Sequence, residues 1–265
     1  MFRVNVIQGD ILSIEADALV MKFAGSFYGA DLAAAGALGT EAPRALEPGN
    51  LQVITHHTHK IVAPAVMFLG VVPLAAFRYA EIRQFGRDSI EAVTRELPAA
   101  RVVAMTFHGV NHGLDEKEAA LALIAGIIDA RRSQRDPNCR LESVLLVEKD
   151  ARRVGRVDAY LNEFLNSESP KATNQASDPS DRNSDQASVK RDRTRNHLDI
   201  GRGSEKKPHI FVAMPFAEDY HDEWEIAIRE PAVELNFLCE RMDAEVSQAT
   251  YWEELKTGST RVLCW

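Results

Sequence analysis

The chain has little cysteine and no long hydrophobic run, and each absence excludes a class of protein. Its 265 residues contain three cysteines, Cys139, Cys239 and Cys264, without a CxxC pair. A disulfide framework or a zinc site is therefore not expected. No window approaches the ~20 apolar residues of a membrane helix, and the start of the chain lacks the pattern of a secretory signal. We predict a cytoplasmic protein with reduced thiols and no membrane partner.

An excess of positive charge is also absent. The chain carries 39 acidic and 31 basic residues, a net charge of -8 and a sequence pI of about 5.5. Nucleic acid is therefore a disfavoured partner, because its binding needs a basic footprint. The basic run Lys190–Arg195 contains an acidic residue and is expected to be solvated. A small anionic ligand stays open, since backbone amides can bind phosphate inside an acidic protein.

Composition divides the chain into three parts. Residues 1–165 alternate apolar β-branched runs with helical patterns, which predicts a three-layer α/β domain. Residues 166–208 have no aromatic side chain and are rich in Ser, Asp, Asn, Arg and Lys, which predicts a disordered linker. Apolar patterning returns in residues 209–265, where we predict a second, incomplete α/β unit.

Hydrophobic periodicity places the elements within the two patterned parts. The predicted strands are Phe2–Ile7, Ala18–Met21, Leu51–Thr55, Lys60–Ala65, Arg101–Phe107, Ser143–Glu148, His209–Met214 and Phe237–Arg241. The predicted helices are Leu32–Leu38, Phe77–Leu97, Asp115–Arg132, Ala151–Leu165, Ala217–Asn236, interrupted at Pro231, and Val246–Lys256.

The first strand ends in Gly9-Asp10-Ile11, and Asp10 is a candidate binding residue. Its carboxylate could accept a hydrogen bond from an amino group such as the exocyclic nitrogen of adenine. The alternative is that Asp10 caps the following turn, which is a common role for aspartate. The sequence leaves both interpretations open.

Two glycine-bearing loops are the other candidate binding elements. Gly25 and Gly29 follow the second strand and precede a helix, while Thr106, His108, Gly109 and Gly113 lie in the loop after the fifth strand. Glycine lets the backbone approach a phosphate, and the next helix presents free amides. Two such loops at strand ends could hold a diphosphate between them. Neither loop matches GxGxxG or GxxxxGK[ST].

A third cluster, His56, His57 and His59, raises the question of a metal site. In a strand, His57 and His59 would share one face and His56 would face the other way. No acidic partner is close in sequence. A solvated hairpin edge is therefore the favoured interpretation, and no metal site is predicted.

The segment VNVIQGDILSIEADALV resembles the start of macro domains, which are ADP-ribose-binding modules, and the non-catalytic amino-terminal domain of leucyl aminopeptidases. The resemblance covers residues 1–165. It implies that Asp10 and Ile11 meet the adenine and that the loops 24–31 and 106–113 hold the phosphates of an ADP-ribose or NAD-type ligand, with no required cofactor. The usual asparagine after the second strand is replaced within Met21-Lys22-Phe23-Ala24, so ADP-ribose hydrolysis is not expected.

The segments FVAMPF, EWEIAIREPA and CERMD are similar to TIR-like and nucleoside 2-deoxyribosyltransferase-like proteins. This resemblance covers residues 208–256 and implies a flavodoxin-like sheet with Met214, Pro215 and Phe216 in a nucleotide loop. The family's catalytic glutamate lies in an N-x-x-x-E-x-G context, which this sequence lacks. We therefore expect a truncated, catalytically inactive unit, and no catalytic residue is assigned.

Three functions follow as hypotheses. The favoured one is a nucleotide sensor, tethered to a TIR-like effector in bacterial defence or stress signalling. The second is a glycosidase or deoxyribosyltransferase acting on nucleosides or NAD, through a carboxylate nucleophile. The third is a ligand-free interaction scaffold. The sequence leaves a homo-oligomer open in each case.

Overall fold

A computed structural model of the chain describes residues 2–55, 60–109, 113–136, 139–168, 199–213, 220, 223–241 and 261–264. The predictions for His56, His57 and His59, for the loop Met214–Phe216 and for the helix Val246–Lys256 lie outside the described residues. The remaining candidate site residues are all described.

The amino-terminal part contains a six-stranded sheet in the order β1-β6-β5-β2-β4-β3. Its strands are β1 (Arg3–Gln8), β2 (Ala18–Phe23), β3 (Leu51–Ile54), β4 (Val66–Gly70), β5 (Val102–Thr106) and β6 (Ser143–Glu148). All neighbouring pairs are parallel except β3 with β4. A mixed α/β architecture with a mainly parallel sheet is thereby confirmed for this part of the chain.

Helices cover both faces of this sheet, as parallel strands require. Helix α1 (Gly29–Leu38) lies on one face, and α2 (Tyr79–Glu96), α3 (Glu116–Ser133) and α4 (Ala151–Glu168) lie on the other. Strand β2 shows the alternation, since Val20 joins the core under α2 and α3 whereas Met21 joins the core under α1. Among the described helices, none is both long and apolar enough to cross a bilayer.

Two glycines allow helices α2 and α3 to pack closely. A Cβ on Gly86 would overlap the carbonyl oxygen of Leu123, and a Cβ on Gly126 would overlap that of Arg83. Any larger residue at either position would push the two backbones apart. Helix α3, which follows one of the candidate loops, is thereby held close against α2.

One strand prediction is wrong. The segment Lys60–Ala65 forms turns, and β4 occupies the next apolar run, Val66–Gly70. Pro64 separates the two runs and has no N–H to donate to a ladder. The later run is buried at every position and pairs with both β2 and β3, so it takes the interior place in the sheet.

The carboxyl-terminal part contains three parallel strands in the order β8-β7-β9. They are β7 (His209–Ala213), β8 (Leu238–Arg241) and β9 (Arg261–Cys264). Between β7 and β8, a π-helix over Glu223–Arg229 passes into the short helix α5 (Glu230–Glu234). The change occurs beside Pro231, where the sequence predicts an interruption, because proline removes a helical hydrogen bond.

The structure differs from the predicted linker at both of its ends. Helix α4 continues to Glu168, and residues 199–208 pack against α2 and α3. Ile200 is buried in the main core, and the hydroxyl of Ser204 donates to the carboxylate of Glu118. The polar composition of residues 199–208 gives no sign of this packing, because the segment is held by one apolar side chain and several hydrogen bonds.

Candidate functional site

The candidate site lies at the carboxyl ends of two neighbouring strands whose following helices pack on opposite faces of the sheet. After β2 the chain enters α1 on one face, whereas after β5 it enters α3 on the other. Strands β2 and β5 are paired and parallel, so their loops diverge from adjacent carboxyl ends. Such a switch point leaves a crevice in an open α/β sheet, where ligands tend to bind.

A cleft of about 470 Å³ occupies this crevice. It is bounded by the ends of β1, β6 and β5 and by the first turns of α1. Its lining residues are Gly9, Asp10, Ile11, Lys22, Tyr28, Gly29, Ala30, Asp31, Ala33, Thr106, Phe107, His108, Gly109, Val147, Glu148, Lys149 and Arg153. Of the residues predicted for the first ligand site, the structure brings Asp10, Ile11, Gly29, Thr106, His108 and Gly109 together here.

Asp10 lies at one end of the cleft and has two intramolecular partners. Its Oδ1 accepts the amide of Leu12 at 3.0 Å, and its Oδ2 lies 2.9 Å from Nζ of Lys149. These hydrogen bonds, that from Lys149 first, lower the pKa of the Asp10 carboxyl. The capping interpretation is thus realised in the structure. The Asp10 side chain is still 45% exposed to solvent and lines the cleft, so capping leaves it accessible to a ligand.

The loop after β2 separates its two glycines. Gly29 begins α1 with φ +52° and lines the cleft beside Ala30, so the first-turn amides of the helix lie at the cleft wall. Gly25 instead lines a separate surface depression with Phe27 and Leu32. The prediction that both glycines share one site is therefore not met for Gly25.

The loop after β5 contributes Thr106, His108 and Gly109 to the cleft. Gly109 has φ +88°, a conformation that glycine adopts without strain. His108 is 5% exposed, and its imidazole packs edge-on against Phe85, with ring centroids 4.7 Å apart. Gly113 does not line the cleft, and its carbonyl accepts the amide of Arg241 at 3.0 Å.

A buried ion pair in the cleft wall was missed by sequence reasoning. Nζ of Lys22 pairs with the carboxylate of Asp31, and Oδ1 of Asp31 also accepts the amide of Lys22 at 3.1 Å. Burial raises the pKa of Asp31, while Lys22 opposes the rise. The available signal was a single lysine inside the otherwise apolar strand ALVMKF, because a buried lysine needs a partner.

Three further charged residues, at the end of β6, just after it and in the first turn of α4, were also missed. Lys149 is 70% exposed beside Asp10, whereas the guanidinium of Arg153 contacts Glu148 at 3.0 Å and Glu116 at 3.1 Å. The cleft wall therefore carries cations and anions in pairs. Among the described residues, no group of three His, Cys, Asp or Glu side chains could hold a metal ion.

Comparisons with known proteins give similarity at the level of structure. No family model matches the sequence, and no curated protein matches it. The structure is similar to a Trypanosoma brucei macrodomain in complex with ADP, with 13% identity and a TM-score of 0.49, over 60% of this chain and 68% of that chain. A mutant Oceanobacillus iheyensis macrodomain with ADPR shows 16% identity and a TM-score of 0.47, over 61% of this chain and 92% of that chain.

A third similar structure is the bottromycin maturation enzyme BotP in complex with Mn. It shows 21% identity and a TM-score of 0.38, over 58% of this chain and 30% of that chain. The identities and scores of all three are low. The function proposed below is therefore supported by the geometry of the cleft itself.

Proposed function

We propose that the cleft binds a nucleotide that carries a pyrophosphate group, with ADP-ribose as the representative ligand. The observation that supports this is the convergence of two glycine-bearing loops, from the paired strands β2 and β5, on one cleft that also contains Asp10. A volume of about 470 Å³ is within the range of small-molecule sites.

Each wall of the cleft matches one part of such a ligand. The exposed carboxylate of Asp10 can accept a hydrogen bond from the adenine amino group, and Ile11 gives an apolar contact beside it. The pyrophosphate would lie between the first turn of α1 at Gly29 and the loop at Gly109. Backbone amides and the positive end of the helix dipole favour an anion there.

The proposed activity is binding without hydrolysis. The Asp31 carboxylate, which is an acidic group in the cleft wall, is held by the amide and ammonium of Lys22. The Glu148 carboxylate is paired with Arg153. In both cases the carboxylate is engaged in a structural contact, so we assign neither as a general base.

Calorimetry with the full chain and ADP-ribose tests the proposal. Ala33 is exposed on α1 and lines the cleft, so Ala33→Phe should fill the cleft without disturbing the core. Leu32→Phe is the matched control, because Leu32 is 57% exposed on the same helix but does not line the cleft. We expect binding by the wild type and by Leu32→Phe, and at least a tenfold loss, or ~1.4 kcal/mol, in Ala33→Phe.

Absence of heat with the wild type at millimolar ADP-ribose would rule out this ligand. Equal affinities in Ala33→Phe and the wild type would mean that ADP-ribose binds elsewhere. A parallel titration with inorganic pyrophosphate separates recognition of the phosphates from recognition of the whole nucleotide.

The effector role of the carboxyl-terminal part stays a prediction from the sequence. Among its described strands, β7 comes first in the sequence and lies in the centre of the sheet, with β8 on one side and β9 on the other. This order agrees with the start of a flavodoxin-like sheet. The proposed role is non-catalytic, because the glutamate context of the resembling family is absent. Release of nicotinamide from NAD by the purified chain would contradict it.

A further inference from the structure

The carboxyl-terminal part contacts the start of α3, close to the loop that lines the cleft. The first turn of α3 and the residues before it, here called the α3 entry (Gly113–Glu118), come shortly after the cleft loop Thr106–Gly109 in the sequence. The amide of Leu114 donates to the carbonyl of Gly109 at 3.2 Å, which ties the two together. A displacement of the α3 entry would therefore move a wall of the cleft.

Strand β8 holds the α3 entry through its backbone. The amide of Arg241 donates to the carbonyl of Gly113 at 3.0 Å, and the amide of Cys239 donates to Oδ2 of Asp115 at 3.1 Å. The other carboxylate oxygen of Asp115 caps α3 by accepting the amide of Glu118 at 2.8 Å. One buried side chain thus joins the start of α3 to a strand that is more than a hundred residues later in the sequence.

A tyrosine hydroxyl makes a second link. The hydroxyl of Tyr79 donates to Oε1 of Glu240 at 2.6 Å and accepts the amide of Asp115 at 2.9 Å. The guanidinium of Arg78 also contacts Glu240 at 2.9 Å. Tyr79 is fully buried and Glu240 is 3% exposed, so solvent does not replace these contacts.

A chain of charged side chains makes a third link, from the cleft wall to the π-helix. Arg153, which lines the cleft, contacts Glu116 at 3.1 Å, and Glu116 contacts Arg156 at 2.6 Å. Arg156 then lies 3.8 Å from Glu225 in the π-helix. These side chains are at most 21% exposed, so their interactions are less screened than those of surface pairs.

We propose that residues 199–213 and 223–241, docked on α2, α3 and α4, position the α3 entry, so that docking of these residues and ligand binding in the cleft favour each other. The ligand half of this statement rests on the function proposed above. Coupling between two sites is reciprocal, so the ligand should also stabilise the docked segment.

Hydrogen exchange of the unliganded full chain tests whether the docked residues position the α3 entry. Glu240→Ala removes the partner of Tyr79 and Arg78, and Glu234→Ala is the matched control, because Glu234 is exposed in α5 of the same segment. In Glu240→Ala, the amides of Asp115 and Glu118 should exchange at least tenfold faster, as should those of Leu238–Arg241. Glu234→Ala should leave all of them unchanged. Faster exchange at Leu238–Arg241 with unchanged exchange at Asp115 and Glu118 would overturn the proposal.

If Glu240→Ala fails to fold, hydrogen exchange of Glu225→Ala tests the positioning role instead. It removes the contacts of Glu225 with Arg156 and Arg229, at the part-buried end of the charged chain. We expect faster exchange at Glu118 and at the amides of the π-helix. A change confined to the π-helix would overturn the positioning role.

Titration with ADP-ribose tests whether docking and ligand binding favour each other. We expect Glu240→Ala to bind ADP-ribose at least ~5-fold more weakly, the lower end of typical coupling, and ADP-ribose to slow exchange at Leu238–Arg241 in the wild type. Equal affinities with no slowing would overturn the coupling. A wild type that does not bind ADP-ribose overturns the proposed function, whereas exchange at Asp115 and Glu118 still decides the positioning role.

Discussion

The two sheets of this protein are held in place by different interactions. The six-stranded sheet lies between two large apolar cores, and β2 and β4 are buried along their whole length. Among the described residues, the core within the carboxyl-terminal part has three buried members, Val212, Ala232 and Cys239. This part meets α2, α3 and α4 through Leu238, which belongs to the main core, and through hydrogen bonds and ion pairs. The difference teaches that apolar packing dominates in the first sheet, whereas polar contacts have a larger share in holding the second.

The largest loss of stability is expected at the buried ion pair of Lys22 and Asp31, which is a polar contact inside the mainly apolar first sheet. Lys22→Met leaves the Asp31 carboxylate buried without its ammonium partner, which should lower the free energy of unfolding by ~3–5 kcal/mol. Adding Asp31→Asn keeps the acceptor for the amide of Lys22 and removes the uncompensated charge. Urea unfolding should therefore show that the double variant recovers most of the loss. A double variant as unstable as Lys22→Met would contradict this account.

The next prediction compares the loss of two methyl groups from one valine in the main core with the same loss in the carboxyl-terminal core. Val20 and Val212 are both buried, at 0% and 1% exposure, so Val→Ala removes the same atoms from each. Val20→Ala should cost ~1.5–3 kcal/mol in the unfolding of the six-stranded part. Val212→Ala should act chiefly on the carboxyl-terminal part. All three tryptophans lie after residue 208, so their fluorescence reports that part, while circular dichroism reports the whole chain.

If Val212→Ala shifts the circular dichroism and fluorescence transitions equally, the two parts unfold together. The contrast between the two sheets would then lie in their contacts and not in their separate stabilities.

A smaller effect is expected at the contact of α2 with α3. Gly126→Ala gains up to ~1 kcal/mol in helix propensity, but its methyl group would overlap the carbonyl oxygen of Arg83, at a cost of ~1–3 kcal/mol. We expect net destabilisation. The matched control is Gly155→Ala in α4, where a Cβ would meet no atom within 4 Å, and which should stabilise the protein in thermal unfolding. Stabilisation by both substitutions would show that the helices can separate without cost.

The smallest effect concerns pH at the docking contacts. Nδ1 of His209 lies 3.6 Å from Oε1 of Glu240, and the interaction with this carboxylate raises the pKa of His209. A raised folded-state pKa gives stability that is fully present below the unfolded pKa of about 6.5 and lost as pH rises through the folded pKa. Tryptophan fluorescence should thus show easier unfolding at pH 8 than at pH 6. His209→Gln should reduce this difference, and an unchanged difference would assign it to other groups.

Much of the amino-terminal fold could be predicted from the sequence, because its patterns are local. Runs such as VVAMTF and SVLLVE are strands as predicted, and Glu116 and Glu118 mark the start of α3. The misplaced β4 shows the limit of this reasoning. Two apolar runs flank Pro64, and the neighbours that each run would meet in the sheet decide which becomes the strand.

The candidate site was predictable only in outline. Strand ends and glycines are visible in a sequence, so Asp10, Gly29 and Gly109 could be named in advance. The direction in which a loop turns is not visible, and Gly25 therefore lies in a different depression from Gly29. Lys149 follows β6 and Arg153 lies in α4, both far along the chain from Asp10, and only the folded sheet brings them to Asp10 and Glu116.

An NMR titration of the full chain with ADP-ribose tests the central claim most directly, because it locates the ligand residue by residue. We predict the largest amide shifts at Asp10, Ile11, Gly29, Ala30 and Gly109, with small shifts at Gly39 and Gly49, which do not line the cleft. Shifts that are absent, or that cluster away from the ends of β1, β2 and β5, would contradict a nucleotide site in this cleft.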